Sequence, residues 1–424
     1  MILKGNRNMY QFKTLKNGVR VVAEKIDYLK SVSIGVWVGN GSRYEQREVN
    51  GISHFIEHML FKGTENRSAA EIANTIDSIG GQIDAFTGRE YTCFYTKTLD
   101  AHAHIALDVL SEMIFRPTLA ACDMELERKV IGEEIRMYED SPEDLVYDLS
   151  AFAVWGDTPM GRTILGTYES LDGITPEVMR SYMQSHYTSA NLIISVAGNY
   201  GDDFFDMLED KFGSQAISNV PPSLPDTVYR NGQTLVRTKD IEQTQLVATF
   251  KGIDIMDNGV YNLLVMNNVF GTGMSSRLFQ KIREERGLVY SISAGHSAYL
   301  GTGVFDISAG MKAESLPEVA ELISREVNTI KRDKLTKDEV ERSKEQLKGS
   351  YILASESTGA RMQGAGRALL VGKPIYTQEE VLAQIDAVNT DSVAEMIDRV
   401  LDPSTLCLAA VGPVDSLDGL FDMR

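Results

Sequence analysis

The chain repeats itself once, and this narrows its possible folds more than any other feature. Tyr187-Thr-Ser-Ala-Asn-Leu-Ile-Ile-Ser-Val-Ala-Gly198 is an apolar strand closed by glycine. Leu401-Asp-Pro-Ser-Thr-Leu-Cys-Leu-Ala-Ala-Val-Gly412 has the same design, at an offset of 412 minus 198, or 214 residues. The same offset carries Glu127-Arg128 onto Glu341-Arg342, each inside a stretch of helical period (residues 123–137 and 337–353). Ser31-Val-Ser-Ile-Gly-Val-Trp37 falls roughly onto Thr244-Gln-Leu-Val-Ala-Thr-Phe250. One long repeat excludes a short-period solenoid, which stacks at least three units of about 20–50 residues.

Within each half, alternating β-branched runs are interleaved with amphipathic stretches at residues 69–79, 102–114, 316–330 and 392–400. Hairpin turns and helical crossovers together predict an α+β fold. We expect two homologous α+β repeats, each a mainly antiparallel sheet with helices packed on one face. Pro221-Pro222 and Pro225, set among Ser and Asn, mark a stiff linker. The expected division is an N-terminal domain at 1–215, a linker at 216–232 and a C-terminal domain at 233–424.

Charge and cysteine content exclude several function classes. Lys and Arg number 42 against 60 Asp and Glu, a net charge of -18, which disfavours phosphate backbones and anionic lipid. The longest apolar runs are strand-sized, far short of the ~20 residues that cross a bilayer. No nucleic acid and no membrane partner is therefore expected. The first residues lack the apolar core of a secretory signal, and the fold is expected to begin by about Met9. Three cysteines without a C-x-x-C pair give no disulfide framework, so a cytoplasmic location is expected.

The chemistry concentrates in Gly51-Ile-Ser-His-Phe-Ile-Glu-His-Met-Leu-Phe61. His54 and His58 stand at i and i+4, so on a helix both imidazoles project from one face, close enough to grip one ion. Glu57 lies about 60° round the same side, where a carboxylate can take a proton from water without being a ligand. This is the H-x-x-E-H order, the reverse of H-E-x-x-H. A catalytic zinc takes three protein ligands and keeps one position open, so a third ligand is needed. Glu127 and Glu134, seven apart on one helical face with Val130 and Ile131, read as inward carboxylates suited to a cation. Glu125, Glu133 and Arg128 read as surface charges. The 214 offset puts no histidine opposite His54 and His58, so the second half is expected to have lost the metal site.

Taken together, His54, Glu57 and His58, followed by Glu134 76 positions after His58, resemble the pitrilysin-like (M16) zinc metallopeptidases of the bacterial two-repeat, mitochondrial-processing-peptidase-like type. The resemblance implies that His54, His58 and Glu134 ligate one Zn2+ per chain. It makes Glu57 the catalytic base and Glu127 the second acidic residue of an E-x6-E pattern. It further implies that Gln82, Asp84, Ala85, Phe86 and Thr87 form a strand that pairs with substrate, with Asp84 standing where Asn is expected. Arg283 and Tyr290 match the family's Arg/Tyr substrate-binding pair. A homodimer enclosing its peptide is implied by the same likeness.

The expected activity is that of a zinc metalloendopeptidase hydrolysing peptide bonds in short or unfolded polypeptides, with Glu57 as general base and zinc-bound water as nucleophile. Backbone pairing along a strand is indifferent to side chains, which suits extended substrates. The alternatives are a non-catalytic scaffold or processing partner of the same fold, and a metal-dependent hydrolase acting on something other than peptides.

Overall fold

The computed structural model describes residues 9–423, and the reading of the extreme N-terminus as lacking a secretory signal falls partly outside them. Its strands are β1 (Tyr10–Thr14), β2 (Arg20–Lys25), β3 (Ser31–Val38), β4 (Gln82–Thr87), β5 (Thr92–Leu99), β6 (Leu192–Gly198), β7 (Thr234–Thr238), β8 (Gln243–Lys251), β9 (Val289–Tyr299), β10 (Thr302–Lys312) and β11 (Cys407–Gly412). The helices are α1 (Ile52–Leu60), α2 (Ala69–Asp77), α3 (Ala103–Phe115), α4 (Ala121–Asp140), α5 (Pro142–Trp155), α6 (Tyr168–Asp172), α7 (Pro176–His186), α8 (Phe204–Leu208), α9 (Val260–Phe270), α10 (Leu316–Asp333), α11 (Lys337–Ala354), α12 (Thr358–Val371), α13 (Gln378–Asp386) and α14 (Thr390–Val400). Among the described residues no helix is long and apolar enough to cross a membrane.

The repeat is a repeat of topology. The first sheet runs β1-β2-β6-β3-β5-β4 and the second β7-β11-β8-β10-β9. In each, one parallel pair, β2 with β6 or β7 with β11, sits beside a run of antiparallel pairs. Dropping β1 makes the two orders correspond strand for strand, so the mainly antiparallel α+β architecture holds in both.

Alternation explains how the first sheet is covered. Val32, Ile34, Val36 and Val38 of β3 point into the main core with Phe55, Ile56 and Met59 of α1, Leu107 of α3 and Ile131 of α4. Each such side chain contributes about 1.5–3 kcal/mol on full burial. Trp37 of β3, Val22 of β2 and Ile193 of β6 point the other way, into a second core with Met362, Ala365 and Leu369 of α12. That opposite face is thus covered as well, by one helix.

The covering helices are exchanged. The compact units are residues 1–135, 163–225 and 353–377 on one side, and 136–162, 226–352 and 378–424 on the other. The first half's α5 packs on β7, β8 and β11, with Val146 among Val247, Ala409 and Val411. The second half's α12 packs on β2, β3 and β6. A shift of 214 carries α5 to residues 356–369, almost onto α12. Each repeat therefore gives the equivalent helix to the other's sheet.

The seat of α12 is close-fitting. Gly366 passes so near the sheet that a Cβ there would overlap the Trp37 indole and Ser195 Oγ, which hydrogen-bond each other at 2.8 Å. Arg361 on the same helix pairs with the buried Glu24 of β2. Gly366→Ala is expected to destabilise the protein by about 1–3 kcal/mol, since both neighbours are buried and cannot move aside freely. A denaturant titration checks this, and an unchanged midpoint would mean that α12 is not tightly seated.

Candidate functional site

The site is built on α1, which begins at Gly51 with φ of 93°. A side chain there would be strained and would also press on the Leu165 carbonyl oxygen and Gly166. From that start α1 buries Ile52, Phe55, Ile56, Met59 and Leu60, which turns His54, Glu57 and His58 toward α4 and β4. The imidazole ring centroids are 4.6 Å apart.

α4 supplies the carboxylates. Glu134 Oε2 lies 3.7 Å from His54 Nε2 and 3.6 Å from His58 Nε2. Ligand atoms of His54, His58 and Glu134 all lie within 4.8 Å of one another, the one such group among the described residues. Donors at about 2.0–2.1 Å from a tetrahedral zinc are about 3.4 Å apart, so this set closes on an ion with small side-chain adjustments. The donor set itself, two imidazoles and one carboxylate, is that of an open catalytic zinc site.

Glu127 does something different. Its Oε2 lies 3.0 Å from His58 Nδ1 and its Oε1 2.6 Å from Lys62 Nζ, and the residue is buried. The carboxylate orients the imidazole from behind and leaves Nε2 facing Glu134. Lys62 stands four residues after His58, just past the end of α1.

The helical face of α4 needs one correction. Ile131 is fully buried but Val130 is 43% exposed. The buried stripe runs through Met124, Glu127, Ile131 and Ile135, so position 130 sits at its far rim. Arg128 is not simply a surface charge either. Its guanidinium lies 5.5 Å from the Phe55 ring centre and donates to the Ile174 carbonyl at 3.0 Å.

Burial and the neighbouring His58 push His54 down to about 3, leaving it a neutral imidazole with a lone pair to donate. Burial pushes Glu57 up, against the pull of a hydrogen bond from the Thr87 hydroxyl and of His58. Nearby Asp84 and Glu134 add to the rise. Glu57 is thus a carboxylate biased toward accepting a proton.

The strand β4 lies at the open edge of its sheet and packs against α1. Thr87 Oγ1 donates to Glu57, a contact that the pattern of a substrate-pairing strand does not signal. The period of two then puts Ile83 and Ala85 on the same face as Thr87, packed on the main core. Asp84 and Phe86 take the opposite face, where Tyr95 Oη donates to Asp84 at 3.2 Å and Phe86 meets Trp37. Gln82 is exposed at the start of the strand.

With this geometry in hand, comparison with known proteins decides the lineage. Residues 20–168 match the family described as insulinase (peptidase family M16), and residues 173–347 match the peptidase M16 inactive domain. A protein of Bacillus subtilis named as an uncharacterized zinc protease is 44% identical over 401 residues, 94% of this chain and 97% of its own. The chain belongs to peptidase family M16. A similarly named M16 relative of Streptomyces coelicolor is 34% identical over 95% of this chain and 89% of its own. In fold, the chain superposes on a Helicobacter pylori protease with a TM-score of 0.87 at 21% identity, over 97% of this chain and 100% of that one.

In this M16 chain the inactive-domain match, residues 173–347, spans the end of the first unit and most of the second. Arg283 lies in a π-helical turn, Phe279–Glu284, with its guanidinium 4.8 Å from the Phe279 ring centre. Tyr290 stands on β9, the edge strand of the second sheet, and is 53% exposed.

Proposed function

We propose that this M16 protein is a zinc metalloendopeptidase that hydrolyses peptide bonds in short or unfolded polypeptides. The observation that carries the reading is the convergence of His54, His58 and Glu134 from two helices, with Glu57 beside them on α1. A zinc ion held there would supply Lewis acidity toward a carbonyl and make water easier to deprotonate.

The chain's own residues do the rest. Glu57, held by the Thr87 hydroxyl, accepts a proton from the attacking water and returns it to the leaving amine. Glu127 fixes the His58 ring. The open edge of β4 receives the extended peptide as an added strand, and the net charge of -18 favours basic peptides. Arg283 and Tyr290 are assigned to substrate binding by their match to the M16 motif. We assign the working form to a homodimer on the same likeness, and to the cytoplasm on the three free cysteines.

The test is direct. The purified protein is expected to carry about one zinc per chain and to cleave an unstructured basic peptide. Bound zinc with no cleavage of any unstructured peptide would favour the non-catalytic scaffold instead.

A further inference from the structure

The start of α1 is held by a carboxylate that lies outside the helix. Gly51, the residue at the helix N-cap, has no side chain to offer the first-turn amides. Their partner is Glu45, which is 1% exposed. Its Oε2 accepts from Gly51 N at 2.7 Å and from Asn50 Nδ2 at 2.8 Å, and its Oε1 accepts from Ser53 N at 2.9 Å. The carboxyl group thus faces the positive end of the helix dipole.

Glu45 is itself anchored to the strand that faces α1. It closes the single turn Ser42–Tyr44, whose Ser42 and Arg43 amides donate to the Gly88 and Arg89 carbonyls in the loop after β4. Arg43 then pairs with the buried Glu90 at 2.5 Å. One end of this connection holds the loop that follows Thr87, and the other holds the turn of α1 that presents His54. Behind it, Asn40 Nδ2 donates to Ser53 Oγ at 3.1 Å and Tyr182 Oη to Asn40 Oδ1 at 3.1 Å, so the first turn has little freedom to rotate.

We propose that Glu45 is a positioning residue for the metal centre, setting where the first turn of α1 places His54 relative to β4. The proposal rests on the zinc-peptidase reading, because it assigns Glu45 to that site. A Gln at position 45 keeps the volume but turns an amide group toward at least one of the three donors, so the first turn loosens and His54 loses its fixed approach. His58, a full turn further on and oriented by Glu127, is disturbed less.

The experiment measures zinc affinity of the full chain by competition with a chromophoric chelator, together with kcat and KM on an unstructured peptide at saturating zinc. Glu45→Gln is expected to bind zinc about tenfold more weakly and to lose kcat about tenfold with KM little changed. Val22→Ala, a cavity under α12 on the sheet face opposite the core that holds α1, serves as a control for lost stability and is expected to keep wild-type zinc affinity. If Glu45→Gln melts earlier but binds zinc as tightly as wild type, Glu45 only stabilises the fold and the proposal fails. If the wild type itself binds no zinc, the zinc-peptidase reading fails first. Should Glu45→Gln not fold, Asn50→Ala, which strips one of the three donors, is put through the same titration and the same outcomes decide.

Discussion

Glu57→Gln is expected to abolish turnover of an unstructured peptide, lowering kcat by about 10²–10⁴-fold, while the protein keeps its zinc. The argument is that Glu57 is not among the three side chains whose donor atoms cluster. Its carboxylate sits instead on the Thr87 hydroxyl, biased by burial toward taking up a proton. Glutamine has nearly the same shape and still accepts from Thr87, but it has no basic oxygen for a water proton. Zinc content and peptide cleavage measured on one preparation separate the two roles. Wild-type turnover in this variant would place the base elsewhere, and loss of zinc would make Glu57 a ligand.

Glu134→Gln is expected to fail at the opposite step. Its carboxylate is the one negative charge in the ligand cluster, placed almost evenly between the two Nε2 atoms at 3.7 and 3.6 Å. The amide leaves two neutral imidazoles and a weaker, uncharged oxygen facing a divalent ion. Removing an outer partner of a metal ligand costs about 10–100-fold in affinity, and losing the anionic ligand itself is expected to exceed that. Glu127→Gln sets the comparison, because Glu127 touches His58 Nδ1 from behind. Chelator competition on the two variants ranks them, and a larger loss at Glu127 would reverse the assignment of ligand and orienting residue.

Much of this is legible in the amino-acid sequence, for physical reasons that also set its limits. A repeat survives in sequence because both copies keep the same apolar spacing, which is why a single offset aligns β6 with β11 and α7 with α14. Two histidines four apart are a geometric statement about a helix, and α1 puts their ring centroids 4.6 Å apart. Contacts set by long-range packing were not legible. Which sheet α5 covers cannot be read from residues 142–155, since Ser141 as cap, Pro142 at the first turn and an apolar stripe fit either one. Thr87 reaches Glu57 because of the sheet register, and Glu45 reaches α1 across a loop with no fixed spacing. A seven-residue spacing names a face without locating its centre, which is why Val130 lies exposed at the rim of that face.

The exchanged helices also set a timetable for synthesis. The last strand of the first sheet ends at Gly198, but α12 is complete only at Val371, 173 residues later. At about 5–20 residues per second, the ribosome leaves the apolar side bearing Val22, Trp37 and Ile193 without its lid for roughly 9–35 seconds. Meanwhile α5 has been made and waits for β8 and β11. The N-terminal sheet therefore stays covered on one face only until the C-terminal half has been made.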